Sequence, residues 1–195
     1  MLNSPALASA IPRDALVRST LSLACAVLVG FSALVRFPVP GSPVPATLQT
    51  FALLACAGML GWRYALQMAG WYLALGLAGA PFFAGAGLGV TGGYLAGFVA
   101  AAAVAGFAGR RTLGIAARCA LFIAAALAIY APGLIWLKAA TGAGWGAALA
   151  MGLYPFIFAD VVKAVAAALA VHASVRWYGP NGRSRAGLPP PPRCL

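Results

Sequence analysis

Six apolar stretches, separated by isolated basic residues or by glycine and proline, place the strongest constraint on how this chain folds. They cover residues 19–35, 46–61, 64–79, 94–109, 115–137 and 147–175. A helix needs about 20 mostly apolar residues to cross the hydrocarbon core of a bilayer, with a range of about 17–25. Charged residues make up only 8% of the chain, against roughly 25% in a soluble domain. The sequence therefore predicts an all-α polytopic membrane protein with six transmembrane helices.

The distribution of basic residues predicts an orientation. The chain carries 13 Lys and Arg against 2 Asp and Glu. If the N-terminus is cytoplasmic and the chain crosses six times, Arg36 and Lys138 face outward and Lys163 lies within the membrane. All other bases then fall inside: Arg13, Arg18, Arg63, Arg110, Arg111, Arg118, Arg176, Arg183, Arg185 and Arg193. Because cytoplasmic loops hold the excess of Lys and Arg, both termini are predicted to be cytoplasmic. Anionic membrane lipid, and not nucleic acid, is the expected partner of these bases.

This topology divides the chain into three parts. Residues 1–16 form an N-terminal cytoplasmic segment, 17–176 the six-helix membrane domain, and 177–195 a cytoplasmic tail rich in proline and arginine. Three unusual connections fall on the outer face: a proline-rich one over 37–45, and glycine-rich ones over 79–93 and 141–146. Together they suggest a lid over a site that opens outward. The alternative is that they only connect helices.

Asp160 is the one acidic residue within an apolar stretch, and Lys163 follows it by three positions. This spacing places both side chains on one face of a helix, close enough to pair. A charged side chain at the centre of a membrane helix costs roughly 2.5–3.5 kcal/mol, and an apolar pair would avoid that cost. We therefore expect Lys163 to bind an anionic group of a ligand, and Asp160 to orient Lys163 or accept a ligand hydrogen bond. A self-satisfied structural ion pair is the alternative.

The sequence contains no pattern for covalent or metal chemistry. The four cysteines do not share metal-ligand spacing, and the single histidine, His172, has no partner for a metal site. Residues 87–92 match GxGxxG, but no strand precedes them as a dinucleotide-binding unit requires. Neither a phosphate-binding loop motif nor a Ser/His/Asp or Cys/His arrangement is found. The sequence thus predicts no metal, no cofactor and no enzymatic activity.

Small residues form a stripe on the first predicted helix. Ser22, Ala26 and Gly30 repeat every four positions, and small side chains at this spacing allow another membrane helix to approach closely. The stripe is interpreted either as internal packing or as a docking face for a partner protein.

Five sequence boxes, in order, resemble the BioY family, the biotin-specific S components of energy-coupling-factor (ECF) transporters. Residues 45–50 spell PATLQT and resemble the family's P-x-T-L-Q-T box. The other boxes are YLALG with GAPFFAG over 72–85, TGGYLAGF over 91–98, YAPGLIWL over 130–137, and PFIFADVVK over 155–163. The resemblance covers about residues 17–175.

The resemblance implies a function and a set of residues. It implies that biotin is captured from outside in a pocket near the outer face and delivered inward, in the inner membrane of a bacterial cell. Lys163 and Asp160 match the polar end of that pocket, and Thr47, Gln49, Tyr94 and Gly93 are further candidates for ligand binding. It also implies a transmembrane T component and ATP-binding subunits as partners, for which the Ser22, Ala26 and Gly30 face is the predicted contact.

Three other functions remain compatible with the residues themselves. The chain could be an S component for another vitamin on the same scaffold, although the TLQT and TGGY boxes argue against this. It could be a proton-coupled carrier that uses Asp160 as its protonation site. It could also be a structural membrane subunit in which Asp160 and Lys163 only fix helix packing.

Overall fold

The computed structural model describes residues 13–82 and 89–178, which are almost entirely helical. The helices are α1 Arg13–Ser32, α2 Gln49–Leu60, α3 Trp62–Leu77, α4 Gly92–Arg110, α5 Ile115–Ala128, α6 Tyr130–Thr141, α7 Trp145–Gly152 and α8 Ile157–Tyr178. A 3₁₀ turn, Gly89–Thr91, leads into α4. The two short strands are β1 Arg36–Phe37 and β2 Ala46–Thr47.

α1 to α4 run in alternating directions between two ends of a bundle, and α5 continues into α6 as one further crossing. At one end, Gly61 alone separates α2 from α3, and Arg110 at the end of α4 donates to the Leu60 carbonyl oxygen. We call this the basic end, because it carries Arg18, Arg63, Arg110, Arg111, Arg118 and Arg176. We call the other the loop end, because the connection between α1 and α2 lies there.

Within the described residues, four helical segments are long and apolar enough to cross a membrane: Asp14–Ser32, Gly89–Arg110, Ile115–Thr141 and Ile157–Trp177. α3 has 16 residues and α2 only 12, and 12 helical residues span about 18 Å, less than the ~30 Å hydrocarbon core. The structure therefore supports a multi-pass membrane protein with four candidate spans.

The centre of the bundle is α2, of whose twelve residues ten are buried. It packs against α1, α3, α4 and α8. Close approach depends on glycine: a Cβ atom on Gly109 of α4 would collide with the backbone of Gly58. Small residues thus replace the large side chains of a soluble core, as is usual where membrane helices pack closely.

Two of the predicted helices are interrupted. The fifth stretch breaks at Ile129, between α5 and α6, one turn before Pro132. A proline ring clashes with the carbonyl group four residues earlier and cannot donate to it, so the break precedes the proline. The sixth stretch, predicted as one helix over 147–175, is two helices, because residues 153–156 with Pro155 form a turn.

The proline-rich connection is confirmed as non-helical, but the all-α prediction missed its strands. β1 and β2 pair antiparallel, with Arg36 opposite Thr47 and Phe37 opposite Ala46. The pairing closes residues 38–45 into a loop above the bundle. Most of the predicted cytoplasmic segments, 1–16 and 177–195, lie outside the described residues.

The Ser22, Ala26 and Gly30 stripe is not a free docking face, and that prediction is wrong. Ser22 and Ala26 are fully buried within the chain, and a Cβ on Gly30 would collide with the ring of Phe82. α1 packs through these small residues against α2 and α3. The internal-packing alternative is therefore the one that the structure supports.

Candidate ligand-binding site

A cavity at the loop end collects most of the side chains that the sequence singled out. Its empty volume is about 620 Å³, including the part that is open to the outside. Its walls come from the loop and from α2, α4, α6 and α8. The polar lining residues are Thr47, Gln49, Thr50, Thr91, Tyr94, Tyr130, Asp160 and Lys163.

Asp160 and Lys163 lie in the first two turns of α8, because the turn at 153–156 ends the preceding helix. The Lys163 Nζ atom is 2.9 Å from Asp160 Oδ1, and the two side chains are 17% and 16% exposed, respectively. The predicted ion pair is therefore present, and it lies beneath the loop at the edge of the cavity.

Each charged group has a second partner from another part of the chain. The Tyr130 hydroxyl of α6 donates to Asp160 Oδ2 over 2.6 Å. Lys163 Nζ donates to the backbone carbonyl oxygen of Thr47 over 2.7 Å. The pair thus ties α8 to α6 on one side and to the loop on the other, in surroundings where an unpaired charge would be costly.

Thr47 and Gln49 form the floor of the loop. The Thr47 hydroxyl accepts from the backbone N–H of Gln49 over 3.3 Å and contacts the Gln49 side-chain oxygen at the same distance. Gln49 Nε2 donates to the Tyr72 hydroxyl oxygen over 2.6 Å. Gln49 is almost fully buried, so its amide orientation is set by α3 and not by solvent.

Tyr94 lines the cavity with its ring. Its hydroxyl donates to the Gly152 carbonyl oxygen over 2.9 Å, which attaches α4 to the end of α7. The ring packs edge to face against Tyr130, with 6.3 Å between centroids and 86° between planes. Tyr94 therefore offers a ligand an aromatic surface and holds Tyr130 beside Asp160.

Gly93 lies away from the cavity, where α4 meets α6. A Cβ atom there would collide with the Pro132 carbonyl oxygen and the Trp136 side chain, so glycine is needed for packing. The structure thus brings together Asp160, Lys163, Thr47, Gln49 and Tyr94, and leaves Gly93 outside the lining.

Several lining residues escaped the sequence reasoning. Tyr130 touches the predicted charge pair directly, yet only the YAPGLIWL box pointed to it, because it is 30 positions from Asp160. The apolar wall includes Val44, Phe98, Ile129 and Phe156. Nothing in the periodicity of the apolar stretches separates these from lipid-facing residues.

The chemistry of the cavity is that of a binding site. It offers one cation, one carboxylate, tyrosine and threonine hydroxyls, and an apolar wall. Among the described residues no group of three or more His, Cys, Asp or Glu is placed to hold a metal ion.

Comparisons with known proteins agree with the resemblance. A sequence model of the BioY family matches residues 7–179. The chain belongs to the BioY family. The biotin transporter BioY of Thermotoga maritima is 36% identical over 137 residues, which are 67% of this chain and 80% of that protein. The probable biotin transporter BioY of Pyrococcus horikoshii is 34% identical over 65% of this chain and 78% of that protein.

Two further comparisons extend the BioY match. Biotin transporter BioY2 of Lactococcus lactis is 31% identical over 153 residues, 74% of this chain and 82% of that protein. The crystal structure of the S-component for biotin from an ECF-type ABC transporter superposes with a TM-score of 0.70, covering 84% of this chain and 94% of that one. At 24% identity this likeness shows a shared fold. These BioY relatives are named as transporters, not as enzymes.

Proposed function

We propose that this chain binds biotin in the cavity at the loop end and carries it inward as the S component of an ECF transporter. The observation that carries the proposal is the position of Lys163 and Asp160 at the edge of a partly apolar cavity, in a chain of the BioY family. Biotin has a carboxylate, a polar ureido ring and an apolar body, and these match the cation, the hydrogen-bonding groups and the apolar wall.

Contacts within the chain already organise the site for an anion. Lys163 is held by Asp160 and by the Thr47 carbonyl oxygen, so most of its desolvation and ordering occurs before a ligand arrives. A site that is ordered in advance loses less free energy on binding. A ligand carboxylate needs only to displace the weaker partner, the neutral carbonyl of Thr47.

The proposed topology has six crossings with both ends cytoplasmic. α2 is short for a span, but ten of its twelve residues are buried within the protein, and backbone that is not exposed to lipid need not match the bilayer thickness. The bases support the orientation, since those of the basic end far outnumber Arg36 and Lys138 at the loop end. The cavity then opens to the outer side of a bacterial inner membrane.

The proposed partners are a transmembrane T component and ATP-binding subunits. Support comes from the fold shared with an S-component of an ECF-type transporter. Neither covalent chemistry nor a cofactor is required, because the chain acts by binding and release. The contact surface for these partners is not the buried stripe of α1.

Calorimetric titration of the purified protein with biotin tests the proposal. Lys163→Ala removes the cation and leaves the Asp160 carboxylate with Tyr130 alone. Loss of a buried charge partner costs about 3–5 kcal/mol, so affinity should fall by a factor of about 100 or more. Lys138→Ala is the matched control, because Lys138 lies at the same end but stacks on Trp145, and its affinity should be unchanged.

Two outcomes contradict the proposal in different ways. No binding of biotin by the wild-type protein rules out the assigned ligand. Equal binding by wild type and Lys163→Ala excludes Lys163 from the site.

A further inference from the structure

The N-terminus of α5, at the basic end, is an uncapped helix end. Its N-cap residue is Gly114, no side chain caps it, and its first turn contains no acidic residue. The first N–H groups of a helix have no partner within the helix, and the helix dipole places partial positive charge there. By itself such an end is only a weak preference for anions.

Arg118 adds a buried charge to this helix end. It lies one turn into α5, is 1% exposed, and donates from Nη2 to the Arg111 carbonyl oxygen over 2.9 Å. Helical side chains lean toward the N-terminus, and this bond places the guanidinium beneath residues 111–114. Its Nε and Nη1 atoms are buried and have no hydrogen-bond partner among the described residues.

A guanidinium in this state lacks acceptors for two of its N–H groups among residues 13–82 and 89–178. An unsatisfied buried charged group is among the costlier features of a fold. The chain has two acidic residues: Asp160 is paired at the loop end, and Asp14 is exposed on α1, which packs on α2 and α3. Arg110 and Arg111 only add positive charge nearby. Neither acidic side chain therefore pairs with Arg118 in the described part of the chain, and a ligand can supply the missing acceptor.

The aromatic residues around the basic end indicate the chemical class of the partner of Arg118. Three arginines at this end stack on aromatic rings. The guanidinium of Arg111 is 4.3 Å from the ring centroid of Phe107, and that of Arg63 is 5.3 Å from the ring centroid of Trp62. Arg18 lies over the ring of Tyr64. Trp177, at the same end, is 74% exposed. Such exposed aromatic rings mark the boundary between membrane and water, where the phosphate groups of lipids lie.

We propose that the N-terminus of α5 and the Arg118 guanidinium form a binding site for a phosphate group, supplied by the headgroup of an anionic phospholipid. The phosphate oxygens accept from Nε and Nη1 of Arg118 and from the first backbone N–H groups of α5, a combination well suited to phosphate. Entry is past Thr112 and Gly114, which are exposed, and a Cβ on Gly114 would meet open space. Free phosphate shares this chemistry and is the alternative source.

Native mass spectrometry and thermal unfolding of the purified full chain in neutral detergent test the site. Phosphatidylglycerol, phosphatidylcholine and inorganic phosphate are each titrated into wild type, Arg118→Gln, Arg118→Lys and Arg63→Gln. Charge-assisted hydrogen bonds are the stronger kind, so Arg118→Gln should bind phosphatidylglycerol about tenfold more weakly or worse. Arg118→Lys keeps the positive charge but loses the planar guanidinium with its several N–H donors. Its affinity for phosphatidylglycerol should lie between those of wild type and Arg118→Gln.

Arg63→Gln is the matched control, because it removes one base from the same end at an exposed position. Binding of phosphatidylglycerol by wild type that depends on Arg118 and not on Arg63 supports the lipid site. Stabilisation by inorganic phosphate with the same dependence supports the site and assigns free phosphate as its source. Equal weakening by Arg63→Gln, or no dependence on Arg118, overturns the proposal. So does an Arg118→Gln protein that binds phosphate and lipid normally but fails to assemble with its energising partners, since Arg118 would then serve a partner's carboxylate.

Discussion

The two ends of this bundle each hold a basic side chain that is at most partly exposed, and the surroundings of the two charges differ. At the loop end, Lys163 is paired with Asp160 and bonded to Thr47. At the basic end, Arg118 has one carbonyl partner and two N–H groups without any among the described residues. The first charge is satisfied from within the chain, and the second is not.

The difference teaches how a chain with two acidic residues uses them. A carboxylate placed beside Lys163 keeps a cation ordered in the absence of ligand, so that the site is stable while empty. Neither Asp160 nor Asp14 pairs with Arg118 in the described structure, so the stability of this end depends on what surrounds the protein. Removing charge should therefore have opposite consequences at the two ends.

The largest effect is expected from separating Asp160 and Lys163. Either Asp160→Leu or Lys163→Leu leaves one charge largely buried without its partner and should lower the free energy of unfolding by about 3–5 kcal/mol. The double variant removes both charges and should be nearly as stable as wild type, because well-packed apolar residues replace buried ion pairs at little cost. Unfolding titration in mixed micelles measures the stability of all three variants.

Biotin titration of the same proteins completes this comparison. All three variants should lose biotin binding, including the stable double variant. A double variant as unstable as the single ones would mean that the pair stabilises the fold in its own right. A double variant that still binds biotin would remove the pair from the site.

A smaller effect is expected from Tyr130→Phe. This change deletes the 2.6 Å hydrogen bond to Asp160 Oδ2 and keeps the ring that packs against Tyr94. Hydrogen bonds to charged groups contribute about 1.5–3 kcal/mol, so biotin affinity should fall by roughly 10–100-fold. Tyr154→Phe is the control, since Tyr154 is 64% exposed. If Tyr130→Phe binds biotin as tightly as wild type, then Lys163 alone is sufficient to hold Asp160 in its binding position.

The smallest effect, and the only one of opposite sign, is expected from Arg118→Met. In neutral detergent without anionic lipid or phosphate, removal of an unsatisfied guanidinium should leave stability unchanged or raise it by about 1 kcal/mol. Thermal unfolding measures this, and added phosphatidylglycerol should stabilise wild type but not the variant. If Arg118→Met lowered stability as much as Lys163→Leu does, the charge of Arg118 would be satisfied in the folded protein just as that of Lys163 is.

The course of the helices was predictable where local chemistry controls it. α3, α4 and α5 begin within two residues of the predicted stretches, because glycine, proline and arginine interrupt an apolar run whatever surrounds it. Pro132 lies within the fifth stretch, and the helix breaks at Ile129 because the proline ring clashes with the preceding turn. The turn at Pro155 divides the sixth stretch, and the separate helix α7 before it was not predicted.

The site was predictable in part. Asp160 and Lys163 stand out because charge within an apolar run is costly, and Thr47, Gln49 and Tyr94 came from the family boxes. Tyr130 and Phe156 did not stand out, because an aromatic residue in an apolar stretch looks the same in the sequence whether it faces a cavity or lipid. The small stripe of α1 was ambiguous for a related reason, since close packing within a chain and between chains uses the same residues.

The apolar stretches and the scarcity of charge were sufficient to predict a multi-pass helical membrane protein, because the bilayer imposes that form on any such chain. The ion pair could also be predicted from the sequence, because two residues three positions apart on a helix lie on the same face. The partners of that pair, Tyr130 and Thr47, are 30 and 116 positions away from their charges, and only the packing of α6, α8 and the loop brings them together. The same holds for Arg118: the sequence marks it only as a cytoplasmic base near the start of the fifth apolar stretch. Folding buries it at a helix end, where two of its N–H groups lack a partner in the described chain.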